Sequence, residues 1–523
     1  MKLCKPTTAG CLCAVLLSAS LSGQELLYEF TGEADGDLFG SGLALLDDID
    51  GDGRDDLFMG APFYGSRNQG RAYVYSGRTG QILYLLEGQI DQYQGGDRLG
   101  GSGSAAGDVD QDGFNDFMLG FPNGGIVDEG VVNVYSGSTG TVLRQYFGVN
   151  NSDSFGVPIQ RITDIDGDGF GDLLISATGW APWGGDDSKG KVYVYSGLTG
   201  AFLRDWKGEK EFDRFGSRLA NVGDIDGDRV SDFAISAPLN FGYDDERGKV
   251  YVYSGRTLEL IYAREGTKPF DKLMAAAGLG DLNDDGYGEL LAGAPASIGY
   301  AYIYSGPDGK LMHTIYGQGQ QYDNFGFSVA STGDVNGDGT DDFLVGERYR
   351  ASTSSLGRAY LYSGKNFRLL YSFTGTEPYQ WLSLALSSAG DINRDGLADF
   401  MASGPYSATG SVYVYSGNDL FLQAEESRIY EGDTLRLFTR GGTPFAWMTL
   451  ALVEISGSST YQPLVTSRLD RYGEHTFEMV IPPGMSGLVL KFQSFAEKPS
   501  RSGDRGTLRG GTADSACERV NIL

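Results

Sequence analysis

Apolar and polar residues alternate in short runs cut by glycine-rich turns, and the same four runs return along most of the chain. The first copy shows the order. Phe39-Gly40 opens a run of small residues (41–46), an acidic loop follows, and then comes an apolar run, Leu57-Phe58-Met59-Gly60, ending in Ala61-Pro62. Next is Tyr73-Val74-Tyr75-Ser76-Gly77, a Thr79-Gly80 turn and a last run over 81–86. Two-residue alternation marks strands, and runs this short bounded by glycine read as strands of a meander. Small side chains in the first run suit an innermost strand, where sheets crowd a common axis. The two tyrosines of Tyr73-Val74-Tyr75 fall on one face, predicting an aromatic stripe between neighbouring sheets; only Asn133 breaks this signature.

The acidic loops begin at Asp48, Asp108, Asp164, Asp224, Asp281, Asp334 and Asp391, spaced 53 to 60 residues apart. That period fits a four-stranded propeller blade. At the two ends of the array, Leu26-Leu27-Tyr28-Glu29-Phe30-Thr31-Gly32 nearly duplicates Leu369-Leu370-Tyr371-Ser372-Phe373-Thr374-Gly375, the fourth run of unit six. The N-terminal run is therefore expected to complete unit seven and remove an exposed edge, with residues 419–423 competing for that place. The repeat stops near residue 425. Apolar stretches at 434–438, 447–455, 475–480 and 488–492 suggest a small β-sandwich of about 70–95 residues, with a loop over 497–516 and a last strand at 518–523. The predicted fold is all-β: a seven-bladed propeller over 24–424, followed by a small sandwich-like domain over 425–523.

Each loop has nine residues, with oxygen-bearing side chains at positions one, three, five and nine. The first four sets are Asp48, Asp50, Asp52, Asp56; Asp108, Asp110, Asp112, Asp116; Asp164, Asp166, Asp168, Asp172; and Asp224, Asp226, Asp228, Asp232. The last three are Asp281, Asn283, Asp285, Glu289; Asp334, Asn336, Asp338, Asp342; and Asp391, Asn393, Asp395, Asp399. Converging carboxylates repel unless a cation joins them. Position seven (Arg54, Phe114, Phe170, Val230, Tyr287, Thr340, Leu397) has no fixed identity, as expected where only its carbonyl coordinates. The donors are all oxygens, with neither cysteine nor histidine, so the ion is expected to be calcium, up to seven of them. Asparagine at position three should weaken sites five to seven. Arg229 replaces the sixth-position glycine in unit four, and Glu289 is longer than the aspartates elsewhere at position nine.

Composition adds a compartment and excludes partners. The formal net charge of −28 opposes nucleic acid and anionic membrane surfaces, and seven divalent ions would offset half of it. The first 23 residues join lysines to a short apolar run and small residues, the layout of a cleaved export signal, and no stretch is long enough to span a membrane. A secreted or cell-surface protein is expected, with Cys517 the sole cysteine beyond that leader.

Together, Phe39-Gly40, the loop from Asp48 and Gly60-Ala61-Pro62 resemble the FG-GAP repeat family, found in integrin alpha-subunit heads and in many bacterial surface and secreted proteins. The resemblance runs over about residues 25–420. It implies a seven-bladed propeller with calcium ligands at Asp48, Asp50, Asp52, Asp56 and their counterparts, and a contact with an extracellular protein or glycan. Departures are Leu99-Gly100, Phe121, Thr178 and Glu347. Candidate contact residues lie on the face opposite the loops: Tyr64, Trp180, Trp183, the stretch Tyr243-Asp244-Asp245-Glu246-Arg247, and Arg348-Tyr349-Arg350. Trp180 and Trp183 have the alternative of folding over the blade edge. A secreted polysaccharide hydrolase or lyase using carboxylates outside the loops is the other function considered. His313 and His475 fall outside the repeated loops, and no nucleophile motif is present.

Overall fold

The computed structural model describes residues 26–90, 95–181, 188–239, 246–295, 299–317, 324–348, 356–377 and 379–417, together with the backbone of eight strands between Phe421 and Ile522. Seven four-stranded antiparallel sheets form the blades of a propeller. In blade 1 the strands are Gly42–Leu46, Asp56–Ala61, Arg71–Tyr75 and Ile82–Glu87, paired in that order. Because each sheet is a meander, the acidic loop and the third-to-fourth-strand turn lie at one end. The second-to-third-strand connection and the exit to the next blade lie at the other.

The alternation seen in sequence divides each strand between two neighbours. Tyr73 and Tyr75 pack with Met401, Val412 and Val414 of blade 7, whereas Val74 packs with Phe117, Leu119 and Tyr135 of blade 2. The second strands are buried along their whole length, which explains their unbroken apolar character. Burying a large apolar side chain contributes about 1.5–3 kcal/mol, so these interblade layers hold the ring. Where blades touch, backbone meets backbone: a Cβ at Gly60 would lie 1.8 Å from the Gly100 carbonyl oxygen.

The ring closes through the N-terminal strand. Leu26–Thr31 pairs antiparallel with Ser411–Tyr415, the third strand of blade 7. The competing segment, present as Phe421–Ala424, pairs instead with Thr434–Arg440. Loops 7 and 1 are also tied at this seam, where Arg54 Nη1 donates to the Ile392 carbonyl and Arg394 Nη2 to that of Gly53. Beyond the propeller lie a three-stranded and a five-stranded sheet. Ser458–Arg468, pairing with Trp447–Ile455, was absent from the sequence expectation. The final strand, Asp514–Ile522, starts earlier than expected and pairs with Val489–Glu497. The proposed export leader lies outside the described residues.

Candidate metal centre

Each acidic loop is folded by its own carboxylates. In loop 1, Asp48 Oδ1 accepts from the Gly51 and Asp52 amides at 2.7 and 3.1 Å, and Oδ2 accepts from Gly53 at 2.8 Å. Asp50 Oδ1 accepts from Asp52 at 3.0 Å, and Asp52 Oδ1 from the position-seven amide of Arg54 at 3.1 Å. These short-range bonds need left-handed backbone at position six: Gly53 has φ 85°, and Arg229 takes φ 69° at the same place. The loop is therefore kept in blade 4 at a strain of about 1–2 kcal/mol. Position four is left-handed in all seven loops as well, including Gln111, Asp284 and Arg394, a requirement that the variable residue types conceal.

The ninth carboxylate is different. Asp56 is fully buried; its Oδ2 accepts from the Ile49 amide at 2.8 Å and its Oδ1 from the Gly77 amide at 3.0 Å. Thus the glycine of Tyr-Val-Tyr-Ser-Gly ties the end of the third strand to the metal loop. The same bond joins Gly137 to Asp116, Gly197 to Asp172, Gly255 to Asp232, Gly364 to Asp342 and Gly417 to Asp399. Burial pushes these carboxyls up, to about 7 for Asp56 and Asp399 and about 6 for Asp116, Asp172 and Asp232, against the lowering effect of the backbone bonds. Burial thus makes their ionised form costlier than that of a free carboxyl, a cost that a neighbouring cation would offset.

Carboxylates from positions one, three and nine bring one oxygen each within 4.8 Å of one another in blades 1 to 4: Asp48, Asp50, Asp56; Asp108, Asp110, Asp116; Asp164, Asp166, Asp172; and Asp224, Asp226, Asp232. In blade 5 the trio is Asp281, Asp285 and Glu289, at positions one, five and nine. Asp52, Asp112, Asp168 and Asp228 fall outside these trios. Asp228 is engaged instead by Arg256 Nε at 2.9 Å. Dense all-oxygen clusters with partly exposed rims fit calcium, which accepts many oxygen ligands in flexible geometry. They are candidate calcium sites.

In blades 5 to 7 the third-position amide turns inward. Asn283 Nδ2 donates to Glu289 Oε1 at 3.1 Å, Asn336 Nδ2 to Asp342 Oδ1 at 3.3 Å, and Asn393 Nδ2 to Asp395 Oδ2 at 3.2 Å. A neutral donor takes over part of the work of a cation. Position seven also proves less free than its variability suggests. Besides the Arg54 bond across the seam, the Phe114 ring lies over loop 1, 2.8 Å from where a Gly51 Cβ would sit.

A second repeated acid was overlooked in the sequence. Asp37, Asp97, Asp153, Asp213 and Asp271 precede the Phe-Gly pair or its counterpart by two residues, and Gln380 holds that place in blade 7. They cap the connections entering these blades on the face opposite the loops. Asp213 Oδ2 accepts from the Lys210 amide at 2.7 Å, and Gln380 Oε1 from Thr376 at 2.7 Å. Their offset from the metal loops, eleven residues for Asp37, Asp97, Asp153 and Asp213 and ten for Asp271, is the signal that could have found them.

Of the residues expected on that face, Trp180 packs against the core cluster of Phe155 and Tyr193, with Lys191 and Lys207 beside its ring. Tyr64 is covered by the Arg71 guanidinium, 3.5 Å from its ring centroid. Arg348 reaches Trp381 and Phe327. Trp183, Tyr243, Asp244, Asp245, Tyr349 and Arg350 lie outside the described residues. Among the described residues, no helix is long and apolar enough to cross a membrane.

Comparison with known proteins places the repeats. An FG-GAP repeat model matches residues 39–75, 162–195 and 215–253, and an FG-GAP-like repeat model matches 334–402. Integrin alpha-V of Gallus gallus is 31% identical over 293 residues, covering 50% of this chain and 27% of its own length. Integrin alpha-5 and integrin alpha-4 of Xenopus laevis are 34% and 35% identical over 207 and 201 residues. Those matches cover 36% and 35% of this chain but only 19% and 18% of the relatives.

Proposed function

From a chain that carries FG-GAP repeats in an integrin-alpha-like seven-bladed propeller, we propose a calcium-stabilised extracellular binding scaffold. Calcium pins the first-to-second-strand turn of each blade, at up to seven sites. Position-one, -three, -five and -nine side chains and the position-seven carbonyl supply the ligands. The opposite face, built from second-to-third-strand connections and blade entries, contacts an extracellular protein or glycan. The strands after residue 421 form an attached β module, and the first 23 residues direct export.

The supporting observation is the repeated carboxylate trio, buried at its ninth position and free of nitrogen and sulfur donors. An ion held by the same kind of turn in blade after blade suits architecture better than chemistry. The test is calorimetric calcium titration of the chain, with thermal unfolding followed in calcium and in chelator. Four or more bound ions and a large loss of stability on chelation are expected. Fewer than four ions, or unchanged unfolding, overturns the reading.

A further inference from the structure

On the face opposite the metal loops, blades 6 and 7 bring together an arginine and aromatic rings that the repeat itself does not require. Arg348 follows the second strand of blade 6 (Asp342–Glu347), and its guanidinium carbon lies 4.4 Å from the Trp381 ring centroid and 4.7 Å from that of Phe327. Trp381 stands just before blade 7, and its ring centroid is 4.2 Å from that of Tyr406 at an interplanar angle of 49°. Tyr406 is 40% exposed and the neighbouring Tyr379 is 63% exposed.

Arg348 differs from the ion-paired cations of this face. Arg71 pairs with Glu33 and Glu87, Lys191 with Asp205, Lys249 with Glu209 and Glu265, and Lys272 with Glu246. Among the described residues Arg348 has neither a carboxylate nor a hydrogen-bond partner, and residues 349–355 contain no acid. Burial lowers its pKa, the sign of a guanidinium that has lost water without gaining an anion. The Trp381 indole N–H is likewise buried without an acceptor. Among the described residues, Trp381 is in none of the interblade core clusters. Its left-handed backbone (φ 50°) is imposed by the repeat, since Leu38, Arg98, Ser154, Arg214, Lys272 and Asn324 share it; the choice of tryptophan is this blade's own.

We propose that Arg348, Trp381 and Tyr406 form a recognition site for a carboxylate-bearing sugar, the guanidinium taking the carboxylate and the tilted rings the apolar face of the pyranose. A planar fork of donors matches a carboxylate in two-point fashion, and aromatic faces accept flat C–H surfaces. An extended peptide finds less here. The second strands of blades 6 and 7 end at this place, and both are paired on both sides, so no strand edge is open for addition. The chain as a whole is acidic, at −28, so a partly buried guanidinium without a carboxylate beside it offers an anionic group a place to approach. The inference rests on the reading of this face as the contact surface and supplies its ligand chemistry.

The experiment uses the full chain in saturating calcium. Trigalacturonate, neutral galactotriose and a triglutamate peptide are titrated by calorimetry, with indole fluorescence as a second readout. Trigalacturonate should bind, galactotriose and triglutamate at least tenfold more weakly, and Arg348→Met should weaken trigalacturonate binding by about tenfold or more. Arg348→Met gives up two ring contacts, so its unfolding midpoint should fall by a few degrees at most, and binding is compared at a temperature where both chains are folded. Equal binding of galactotriose or triglutamate, undiminished binding by the variant, or no trigalacturonate binding overturns the site. Loss of this site with calcium binding and capture of extracellular polymer intact would leave the scaffold reading standing. Failure of the calcium titration would sink that reading independently.

Discussion

In blades 1 to 4 the third loop position is an aspartate that joins a carboxylate trio; in blades 5 to 7 it is an asparagine whose amide donates to a neighbouring carboxylate. Both halves of the ring keep the same backbone turn, the same first-position aspartate and the same buried ninth acid. The difference teaches that two jobs are superimposed on one loop. The ninth carboxylate ties the loop to the third strand through backbone amides. The third position either adds a carboxylate to the cluster or offers a neighbouring acid a donor.

Chelation should have the largest effect. A site held at a hundred times its dissociation constant contributes about 2.7 kcal/mol, so removing calcium from several blades should lower the unfolding midpoint by tens of degrees. Hydrogen exchange would sharpen the comparison, with blades 1 to 4 losing more protection than blades 6 and 7; uniform loss would break it. Chelation should also reverse the pH trend. Without calcium, the ninth carboxyls, raised from 3.8 to about 6–7 by burial, hold protons in the folded state that the unfolded chain has released. Stability therefore falls as pH climbs from about 4 to about 7. In saturating calcium, which competes with those protons, it should rise over the same range, as chemical denaturation at each pH would show.

Removing a ninth carboxylate should come next and be alike in both groups. Asp56→Ala and Asp399→Ala each orphan two buried backbone amides, at roughly 1–3 kcal/mol apiece. Denaturation in chelator should show similar losses of about 2–5 kcal/mol. No loss in chelator for either variant would mean that the ninth acid acts only through the ion. Smaller still, Asn336→Asp and Asn393→Asp should raise calcium affinity several-fold to about tenfold while lowering stability in chelator. Calorimetry on the two single variants decides this. Least of all, Arg229→Gly should relieve the left-handed strain in blade 4 and add about 1 kcal/mol.

The blade and its loop were legible because the bonds that fold them span few residues. Asp48 reaches amides three to five residues ahead, and alternation along Tyr73-Val74-Tyr75 separates two packing faces within one strand. Chemistry of that range must be written as local pattern, and repetition makes it unmistakable. The left-handed fourth position was not legible, because glycine, glutamine, aspartate and arginine all fill it once the surrounding hydrogen bonds fix the turn. Asp37 and its counterparts were hidden for a different reason: their partners are backbone amides, which carry no residue identity.

The amino-acid order alone determined the seven units, their strands and the acidic turns that gather oxygen donors, since each is built from neighbours along the chain. Tertiary structure decided what closes the ring, Leu26–Thr31 rather than the segment at 421, and what the ninth acid holds across some twenty residues. It also decided that Arg348 would meet Trp381 and Tyr406 from the next blade. Such partners come together only after loops of tens of residues have closed, and the entropy of that closure is met by interblade burial rather than by any local motif.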